Sequence, residues 1–400
     1  MCALGSNTSA DVVVIGGGIV GTSVAYHMAK AGLKKVVVLE RGALCSGTSS
    51  HCAATLQIQT KTPGPKLALA QESLALYAGL GEELGCVLPP RDCDLEIQKE
   101  GGIIVAFTEE EERFLKHKAD DLRGQGVNIA YLAPDDLRAV QPNISPNVLG
   151  GLWCPDDWIT NPFRVTYGFA RAAQRLGVEV REGTEVRGIR TDGRKVVGVE
   201  TGTGALATGL VVNAAGVWSP EVAQMVGLSL PVAPRRGQMV VTEPMHKLVR
   251  GVALAASYLL SKKMPSTDDG GAAALLGGAV FFQSLSGNII AGSTREFVGM
   301  NWNTTLAGIR EVVRQVSAVI PAVAQANVIR TFAGLRPAAP DGLPIIDRHP
   351  DLDGFILATG HEGDGVSLAP ITGHKVAGIV TGRILWEDLA PFSLSRFAEG

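Results

Sequence analysis

The sequence has 400 residues, 46% of them hydrophobic and 19% charged, and its formal net charge is −3. This length and apolar content allow two or three domains with large cores. A nearly neutral chain whose basic residues are scattered lacks the electrostatic footprint of a nucleic-acid-binding protein, so we expect no nucleic-acid partner.

The six cysteines form no Cys-x-x-Cys pair, so neither a zinc site nor a redox pair is indicated. The spacing of seven within Cys45/Cys52 and within Cys86/Cys93 would allow an iron–sulfur cluster, but reduced thiols are the preferred interpretation and we predict no metal. The N-terminus lacks the pattern of a secretory signal, and the most apolar window (270–282) is too short to span a bilayer. We therefore expect a soluble, cytoplasmic protein.

Residues 11–40 predict a strand, a helix and a second strand. The run DVVVI (11–15) leads directly into the loop GGGIVG (16–21), and a helical stretch follows. Gly16 permits a tight turn, Gly18 lets the backbone approach a pyrophosphate, and Gly21 lets the helix pack closely on the strand. Glu40 ends the second strand, where a carboxylate accepts hydrogen bonds from a ribose and repels the 2′-phosphate of NADP. The pattern predicts a site for NAD or FAD.

The loop CSGTSSHCAATLQ (45–57) favours FAD over NAD. An NAD-binding domain would continue with an apolar unit here, whereas this stretch is small and hydroxylated. We expect Thr48, Ser49 and Ser50 to donate hydrogen bonds to phosphate and ribityl oxygens, and Ala53 and Ala54 to allow close approach of a flat ring. The alternative is a polar loop that caps the following helix.

The middle of the chain alternates between strand and helix patterns. GGIIVAF (101–107) predicts a strand, and TEEEERFLKHKADDLRGQG (108–126) predicts an acidic amphipathic helix. Residues 177–219 alternate apolar and polar positions, as strands joined by tight turns do. We interpret Gly202-x-Gly204 as a hairpin turn rather than a phosphate loop. LVVNAAGVWS (210–219) predicts a buried strand that ends in small residues, as needed where a backbone passes beneath a dinucleotide.

Two stretches further along the chain predict parts of a region that would cover the cofactor and bind a substrate. Residues 261–278 mix charged, turn and small residues and predict a mobile excursion, a lid or a partner contact. AVFFQ (279–283) and NIIAGSTRE (288–296) predict a hairpin with Ser286-Gly287 at its turn. We expect Arg295 and Glu296 to form a strand-end ion pair outside the site.

Three lysines and one tyrosine each allow two interpretations, one structural and one functional. Lys61 and the Lys262-Lys263 pair are surface candidates, and one of them would alternatively lie over a flavin and promote its reaction with oxygen. Tyr258 either hydrogen-bonds a substrate carboxylate or is a half-buried strand tyrosine.

The stretch FILATGHEGDGVSLAP (355–370) predicts a buried strand, a glycine- and acid-rich loop, and a helix that begins near Gly365. The N–H groups of residues 363–366 would point out of the helix N-terminus, where they hold negative charge. A reduced flavin carries such a charge at its N1/C2 edge, so this stretch predicts a contact with the flavin ring. His361 opens the loop and either contacts the ring or packs in the core.

The cofactor motifs predict a discontinuous FAD-binding domain. We assign residues 1–88, 155–222 and 328–400 to it, and residues 89–154 and 223–327 to a substrate-binding domain. The predicted fold class is α/β, with α+β character overall: a Rossmann-like FAD-binding domain joined to a substrate domain on an antiparallel sheet.

Five ordered motifs resemble one known family. VVIGGGIVGTSVAYHMAKAG…VVVLERG, VVNAAGVWSPEVAQMVG, PVAPRRGQMVVTE, FAGLRPAAPDGLPIID and ILATGHEGDGVSLAPITG resemble the D-amino acid oxidase-like FAD enzymes, which include glycine oxidase, sarcosine oxidase and D-amino acid dehydrogenases. The resemblance extends from about Asp11 to Gly382. GNIIAGSTREFVG and GHEGDG look closest to the FAD-binding β subunits of hetero-oligomeric amine dehydrogenases, such as hydroxyproline dehydrogenase, opine oxidase and hydrogen cyanide synthase.

The resemblance implies a bound FAD, held without a covalent link because no cysteine stands near Arg336, where monomeric sarcosine oxidase tethers its flavin. Glycine oxidase carries Arg-Asn where this sequence has Gly363-Asp364, so the resemblance implies backbone rather than side-chain contacts there. The residues expected to hold FAD are Gly16, Gly18, Ile19, Val20, Gly21, Glu40, Arg41, Thr48, Ser49, Ala53, Ala54, Thr55, Val186, Ala214, Ala215, Gly216, Trp218, Gly334, Arg336, Gly360, His361, Gly363, Asp364, Gly365 and Val366.

Three residues are expected to act on the substrate. Arg336 matches the arginine that grips the substrate carboxylate in glycine oxidase; the alternative is a structural arginine paired with Asp341 or Asp347. Tyr258 would add a second hydrogen bond to the carboxylate. His51 either senses or relays a proton or is a polar loop residue.

The resemblance implies oxidation of the C–N bond of a D-amino acid or a secondary amino acid, proline-, hydroxyproline- or opine-like, by hydride transfer to flavin N5 to give an imine. The sequence has no second dinucleotide fingerprint, so reoxidation falls to O2 or to an electron-accepting partner subunit, and the β-subunit resemblance favours the partner. The alternatives are a glycine or sarcosine oxidase-type enzyme that uses O2, an assembly subunit whose FAD is structural, and a colourless NAD-linked dehydrogenase.

Overall fold

The computed structural model describes residues 8–261 and 279–397. Its strands are β1 (Val12–Ile15), β2 (Val36–Leu39), β3 (Thr55–Leu56), β4 (Gly102–Ala106), β5 (Ala130–Leu132), β6 (Gly150–Cys154), β7 (Trp158–Ile159), β8 (Glu179–Arg181), β9 (Val186–Asp192), β10 (Lys195–Thr201), β11 (Gly204–Ala207), β12 (Val211–Asn213), β13 (Ala233–Pro244), β14 (Val252–Ala255), β15 (Val280–Gln283), β16 (Asn288–Gly292), β17 (Val328–Ala338), β18 (Ile345–Arg348) and β19 (Phe355–Thr359).

The α-helices in the described residues are α1 (Ile19–Lys30), α2 (Pro65–Gly85), α3 (Pro90–Cys93), α4 (Glu109–Arg123), α5 (Pro134–Val140), α6 (Pro162–Arg175), α7 (Ser219–Gln224), α8 (Ser257–Ser261), α9 (Leu306–Val319) and α10 (Gly365–Val380). Short 3-10 helices occur at Thr48–Ser50, Gly216–Trp218, Pro321–Gln325, Glu362–Asp364, Trp386–Phe392 and Leu394–Phe397. No helix among the described residues has the length and apolarity needed to cross a membrane.

A six-stranded sheet carries the first glycine loop. Its order is β18-β19-β12-β1-β2-β8, and all neighbours are parallel except the β18–β19 pair. The central strands consist of valine, isoleucine and leucine and are buried on both faces, as expected for a parallel sheet with cover on each side. The chain leaves β1 towards β2 on one side, while β12 lies on the other, so the strand order switches here. Ligands of such sheets bind at the carboxyl ends of the strands, at this switch point.

Helices cover one face of this sheet and a small sheet covers the other. α1 packs against α10 and α6, and α2 packs against α10. On the opposite face, the antiparallel sheet β11-β10-β9 and α7 contribute Val199, Leu206 and Val222 to a core that they share with Val13 and Val37. The two covered faces give the sheet the rigidity that a cofactor site requires.

An eight-stranded sheet forms the other half of the molecule. Its order is β17-β13-β16-β15-β14-β4-β6-β5, and it is antiparallel except for the β14–β4 pair. α9 packs against β13, β14 and β16 and closes a core that includes Val105, Phe281 and Val312. The predicted class, a Rossmann-like domain with a second domain on a largely antiparallel sheet, is confirmed.

Several local predictions also hold. β15 and β16 form a hairpin, with Gly287 in a left-handed conformation (φ +91°) at its turn. Gly202 and Gly204 lie in the turn between β10 and β11, so they form a hairpin turn and not a phosphate loop. α4 begins after Thr108, whose side chain accepts a hydrogen bond from the Glu111 N–H.

The strands of the six-stranded sheet come from three separated parts of the chain. β17, however, begins at Val328 and pairs with β13 along its whole length in the eight-stranded sheet. The stretch from 328 to 338 therefore belongs to the eight-stranded sheet, although the predicted division places it in the FAD-binding domain. The domain limits stay a prediction. Residues 262–278, which include Lys262-Lys263 and almost all of the expected excursion, lie outside the described residues.

Candidate functional site

A cavity of about 670 Å³ lies between the carboxyl ends of β1, β2 and β12 and the eight-stranded sheet. Both sheets contribute to its wall, as do the loop after β2 and the loop before α10. Of the predicted site residues, those on the wall are Gly16, Gly18, Ile19, Val20, Glu40, Arg41, Thr48, Ser49, His51, Ala53, Thr55, Val186, Ala214, Ala215, Gly216, Trp218, Tyr258, Gly334, Arg336, His361, Gly363, Asp364, Gly365 and Val366. Gly21, Ala54 and Gly360 are not on the wall.

The first glycine loop leaves no room for side chains. Gly16 has φ +113°, and a Cβ there would lie 2.5 Å from the carbonyl oxygen of Ala214 on the neighbouring strand. A Cβ at Gly21 would overlap the carbonyl oxygen of Gly16, so Gly21 acts behind the wall by letting α1 approach the loop. Larger residues would push loop, helix and strand apart and close the cradle in which a pyrophosphate binds.

Backbone amides hold the carboxylate of Glu40 in place. Its Oε2 accepts a hydrogen bond from the Gly17 N–H and its Oε1 accepts one from the Gly42 N–H, both at 2.7 Å. Each carboxylate oxygen retains a lone pair for a ribose hydroxyl. The sequence predicted the position of Glu40 but not the two amides that orient it.

Aromatic side chains form one part of the wall. The guanidinium of Arg41 lies 3.9 Å from the ring centroid of Trp218, which stacks on Trp302 at 5.9 Å. The imidazole of His51 meets Trp302 and Phe332 edge-on, at 6.0 and 5.7 Å. Trp302 was missed because it lies in a loop between β16 and α9, where no periodic pattern marks it.

The loop that carries Thr48 and Ser49 joins the two sheets. Ser49 Oγ accepts a hydrogen bond from the Ile19 N–H at 3.0 Å and so caps α1. The hydroxyl of Thr48 donates to the Leu335 carbonyl, and that of Ser50 donates to the Gly47 carbonyl. This differs from the expectation that Thr48 and Ser50 donate to cofactor oxygens. Ser49 keeps its hydroxyl hydrogen for a ligand in the cavity.

The late glycine-rich loop folds as predicted, with α10 beginning at Gly365. Asp364 immediately precedes the helix, and its carboxylate oxygens each lie 2.5 Å from a lysine, Lys61 Nζ and Lys66 Nζ. Of the two alternatives for Lys61, the surface position is wrong, since the residue is only 5% exposed and lines the cavity. The side chain of Asp364 is thus engaged by lysines. The Gly363 N–H donates to Glu362 Oε2 and the Asp364 N–H donates to the His361 carbonyl, which differs from the expectation that both point at a ligand. The first N–H groups of α10, those of Gly365 and Val366, remain as the groups of this loop for a ligand.

Electrostatics fix the charge state of this loop. Burial lowers the pKa of His361 to about 4, and Lys66 adds to the shift, so the imidazole is neutral at pH 7. Its Nε2 is 3.0 Å from Thr372 Oγ1 in α10, and the residue is 2% exposed. Burial alone would raise the pKa of Glu362, but the guanidiniums of Arg336 and Arg295 hold it at about 2. Glu362 is therefore ionised at every physiological pH.

Arg336 lies on β17 at the cavity wall. Its Nη1 donates to the Thr294 carbonyl at 3.3 Å, and its Nη2 donates to Ser293 Oγ. Gly237, on the neighbouring strand, makes room for the guanidinium, because a Cβ there would lie 2.8 Å from Nη1.

The alternative of a structural pair between Arg336 and Asp341 or Asp347 is wrong. Asp341 pairs with Arg396, and Asp347 accepts a hydrogen bond from Ser393. Arg336 instead lies on the cavity wall.

A cluster of charged residues surrounds Arg336. Arg295 Nη2 donates to the Tyr258 hydroxyl at 2.8 Å, and its guanidinium carbon lies 4.6 Å from the Tyr258 ring centroid. Tyr258 belongs to α8 and not to a strand. Arg235 Nη1 lies 3.5 Å from Glu362 Oε1. We call Arg235, Arg295, Arg336 and Glu362 the guanidinium cluster.

The expected ion pair between Arg295 and Glu296 is also wrong. Glu296 pairs with Arg236, with Oε2 2.5 Å from Nη2 in a buried contact. Side chains of consecutive residues in extended backbone point to opposite faces, so Arg295 and Glu296 diverge. The arginines Arg235 and Arg336 both lie in motifs that the sequence analysis recognised, PRRGQ and AGLRP. The strand register that places them opposite each other is visible only in the fold.

The cavity fits a flavin dinucleotide. One end is formed by the glycine loop and the fixed carboxylate of Glu40, which suit a pyrophosphate and a ribose. The other end is formed by the N-terminus of α10 and by Arg336, which suit a polarised ring and a carboxylate. Among the described residues, no cluster of side chains could hold a metal ion, and Cys45, Cys52, Cys86, Cys93 and Cys154 are free thiols.

Comparison with known proteins identifies the family. Residues 11–379 match the family described as FAD dependent oxidoreductase (DAO). Glycine oxidase of Geobacillus kaustophilus is 30% identical over 392 residues, which cover 96% of this chain and 97% of that protein. Hydrogen cyanide synthase subunit HcnC of Pseudomonas aeruginosa is 28% identical over 428 residues, which cover 98% of this chain and 97% of HcnC.

Solved structures agree with this result. The crystal structure of glycine oxidase from Geobacillus kaustophilus matches with a TM-score of 0.86 at 28% identity, covering 98% of this chain and 99% of that chain. L-proline dehydrogenase from P. horikoshii matches with a TM-score of 0.87 at 26% identity, with the same coverage of both chains. The chain belongs to the DAO family of FAD-dependent oxidoreductases, which confirms the resemblance, and FAD is its cofactor.

Proposed function

We propose that this FAD-dependent amino acid oxidoreductase oxidises the C–N bond of a D-amino acid or a secondary amino acid to an imine. The observation that carries the proposal is the position of Arg336, whose guanidinium lies on the wall of the same cavity as the dinucleotide loop. Bound FAD supplies the acceptor for the hydride of the substrate α-C–H, at flavin N5. The residues of the chain then have to bind and orient the amino acid.

Orientation is the main task of the protein in this proposal. A guanidinium that binds a carboxylate through two hydrogen bonds fixes both the position and the plane of an amino acid. Tyr258, which accepts a hydrogen bond from Arg295, offers a hydroxyl on the same wall. Met239, Val280 and Phe332 also line the cavity and would exclude water from the reacting atoms.

We assign the cofactor contacts to the wall residues that the sequence predicted. Gly16, Gly18 and Ser49 would bind the pyrophosphate, and Glu40 the ribose. The N–H groups of Gly365 and Val366, at the start of α10, would face the ring. FAD would be held without a covalent bond, so precipitation of the purified protein with acid should release all of the flavin into the supernatant.

We infer further that the chain acts as the β subunit of a dehydrogenase complex. Support comes from the near-complete coverage of HcnC, which is named as a subunit of hydrogen cyanide synthase. Similar coverage of glycine oxidase supports the second candidate, an oxidase that passes electrons directly to O2. A scaffold with a structural flavin is disfavoured because Arg336 lies on the cavity wall beside the predicted ring.

Anaerobic mixing of the holoenzyme with amino acids tests the activity. We expect D-proline, D-alanine, sarcosine or a related secondary amine to bleach the flavin absorbance within seconds, and Arg336→Gln to abolish bleaching while retaining the flavin. A flavin that no D- or secondary amino acid reduces would refute the proposal. Hydrogen peroxide production in air, compared with the reduction of an artificial electron acceptor, then separates the oxidase from the dehydrogenase.

A further inference from the structure

The guanidinium cluster brings three positive charges together next to the cavity. Arg336 and Glu362 lie on the cavity wall, whereas Arg235 and Arg295 lie behind it, in contact with Glu362 and Tyr258. Arg235 and Arg336 are directly opposite in the antiparallel register of β13 and β17, so their side chains leave the same face of the sheet. Arg295 follows β16, the strand on the other side of β13, and contacts Tyr258. Like charges placed directly opposite destabilise a sheet unless an anion lies between them.

The carboxylate of Glu362 compensates only part of this charge. Its Oε1 is 3.5 Å from Arg235 Nη1 and 3.9 Å from Arg336 Nε, distances too long for strong hydrogen bonds. The carboxylate of Asp364 is already paired with two lysines at 2.5 Å, so it leaves no negative charge over for the cluster. Among the described residues, the cluster thus carries two guanidinium charges in excess of its carboxylate.

Two donors of the cluster also lack partners. The Nε atoms of Arg235 and Arg295 are buried and make no hydrogen bond in the part of the chain that the structure describes. A buried donor without a partner costs free energy, and buried charges are normally paired. Burial together with the nearby Arg295 and Arg336 lowers the pKa of Arg235, although Glu362 opposes the shift. An amino acid whose carboxylate binds Arg336 would neutralise one of the two excess positive charges and leave the second without a counter-charge.

We propose that Arg295 and Arg235 form a second carboxylate-binding subsite, and that the natural substrate is an amino acid with two carboxylates. This inference depends on the proposed amino acid oxidation. The first carboxylate binds Arg336 and the second binds the Arg295–Arg235 side, so the substrate matches the two excess charges. The second carboxylate is carried either on the amine nitrogen, as in iminodiacetate, or on the side chain, as in D-aspartate.

Binding of unreactive carboxylates tests the subsite without turnover. Acetate, malonate and succinate have no amine and cannot be oxidised, but they perturb the visible spectrum of a flavin when they bind beside it. We expect a dicarboxylate to bind the holoenzyme at least ~10-fold more tightly than acetate, since a charge-assisted hydrogen bond is lost with the second carboxylate. Equal affinity for the three anions would overturn the proposal.

Matched substrate pairs test the specificity. We expect kcat/KM to favour iminodiacetate over sarcosine, or D-aspartate over D-alanine, by ~10-fold or more, and the pair that shows the preference locates the second carboxylate. Arg295→Gln should reduce this ratio towards one, and Arg295→Lys should restore part of it. Arg235→Gln provides a second variant, and Arg330→Gln, at an exposed position of the same strand as Arg336, should leave the ratio unchanged.

Two outcomes would contradict the subsite. One is a wild-type preference for the monocarboxylates. The other is an equal loss of kcat/KM for both members of a pair in Arg295→Gln, which would show that Arg295 acts on the cofactor or on Tyr258 rather than on a second carboxylate. Failure of every amino acid to reduce the flavin would instead refute the proposed oxidation, while the anion-binding result would still decide the subsite.

Discussion

Replacing Gly16 with alanine would destabilise the protein in two ways, by backbone strain and by a close contact of the new Cβ. The same substitution at Gly32 introduces only the strain, so the two variants together distinguish the two effects. Gly16 has φ +113°, a conformation that side chains rarely adopt, so alanine there costs about 1–3 kcal/mol of folding free energy. The added Cβ would also lie 2.5 Å from the Ala214 carbonyl oxygen, whereas ordinary contact begins at 3.4 Å. The loop and β12 would therefore have to separate by about 0.9 Å, the difference between these distances.

We expect this overpacking to add about 1–3 kcal/mol to the strain. Because the displaced loop lines the cavity, FAD affinity should fall about 10-fold or more, which corresponds to 1.4 kcal/mol. Gly32→Ala is the matched control: its φ is +103°, but a Cβ there meets nothing within 4 Å. Gly32→Ala should therefore be destabilised only by the backbone strain, and its FAD affinity should be unchanged.

The assay measures urea unfolding of both apoproteins and FAD binding by the change in flavin fluorescence. The contact argument predicts that Gly16→Ala is the less stable variant and that only this variant binds FAD weakly. Equal destabilisation of the two variants, with an unchanged FAD dissociation constant for Gly16→Ala, would refute it.

Three further predictions concern single side chains. Glu40→Gln removes the charge that the Gly17 and Gly42 amides hold in place, and we expect FAD affinity to fall about 10-fold with little change in substrate KM; unaltered flavin retention during dialysis would contradict the ribose contact. Arg336→Gln should keep FAD and lose about 100-fold or more in kcat/KM, and an unchanged kcat/KM would exclude the carboxylate clamp. Burial lowers the pKa of His27 to about 4, so between pH 6.5 and 4 the unfolded chain binds a proton that the folded chain does not, and stability falls as the pH drops through this window. His27→Gln should flatten this part of the stability curve by up to about 3 kcal/mol, whereas His117→Gln at an exposed position should not; parallel curves for wild type and His27→Gln would refute the assignment.

Much of the predicted cofactor-binding site could be recognised from the sequence, because its residues lie close together along the chain. The requirement for glycine at Gly16 and Gly21 comes from contacts within one strand–loop–helix unit, which appears in the sequence as a fixed spacing. The helix start at Gly365 follows from a buried strand running into a loop of glycine and acidic residues. The position of Glu40 likewise follows from the length of two consecutive strands and the helix between them.

The substrate side was decided by the tertiary structure. Arg235 meets Arg336 across a strand register that joins positions about one hundred residues apart. Lys61 is buried and paired with Asp364, which lies near the other end of the chain. Arg295 and Glu296 are neighbours in sequence, yet they contact different elements because successive side chains of an extended backbone face opposite sides. A single sequence encodes local periodicity and spacing, whereas register and the packing of distant segments arise only when the sheets assemble. For this protein, the sequence by itself determined the cofactor and the family, and the fold determined which charged side chains come together beside the cavity.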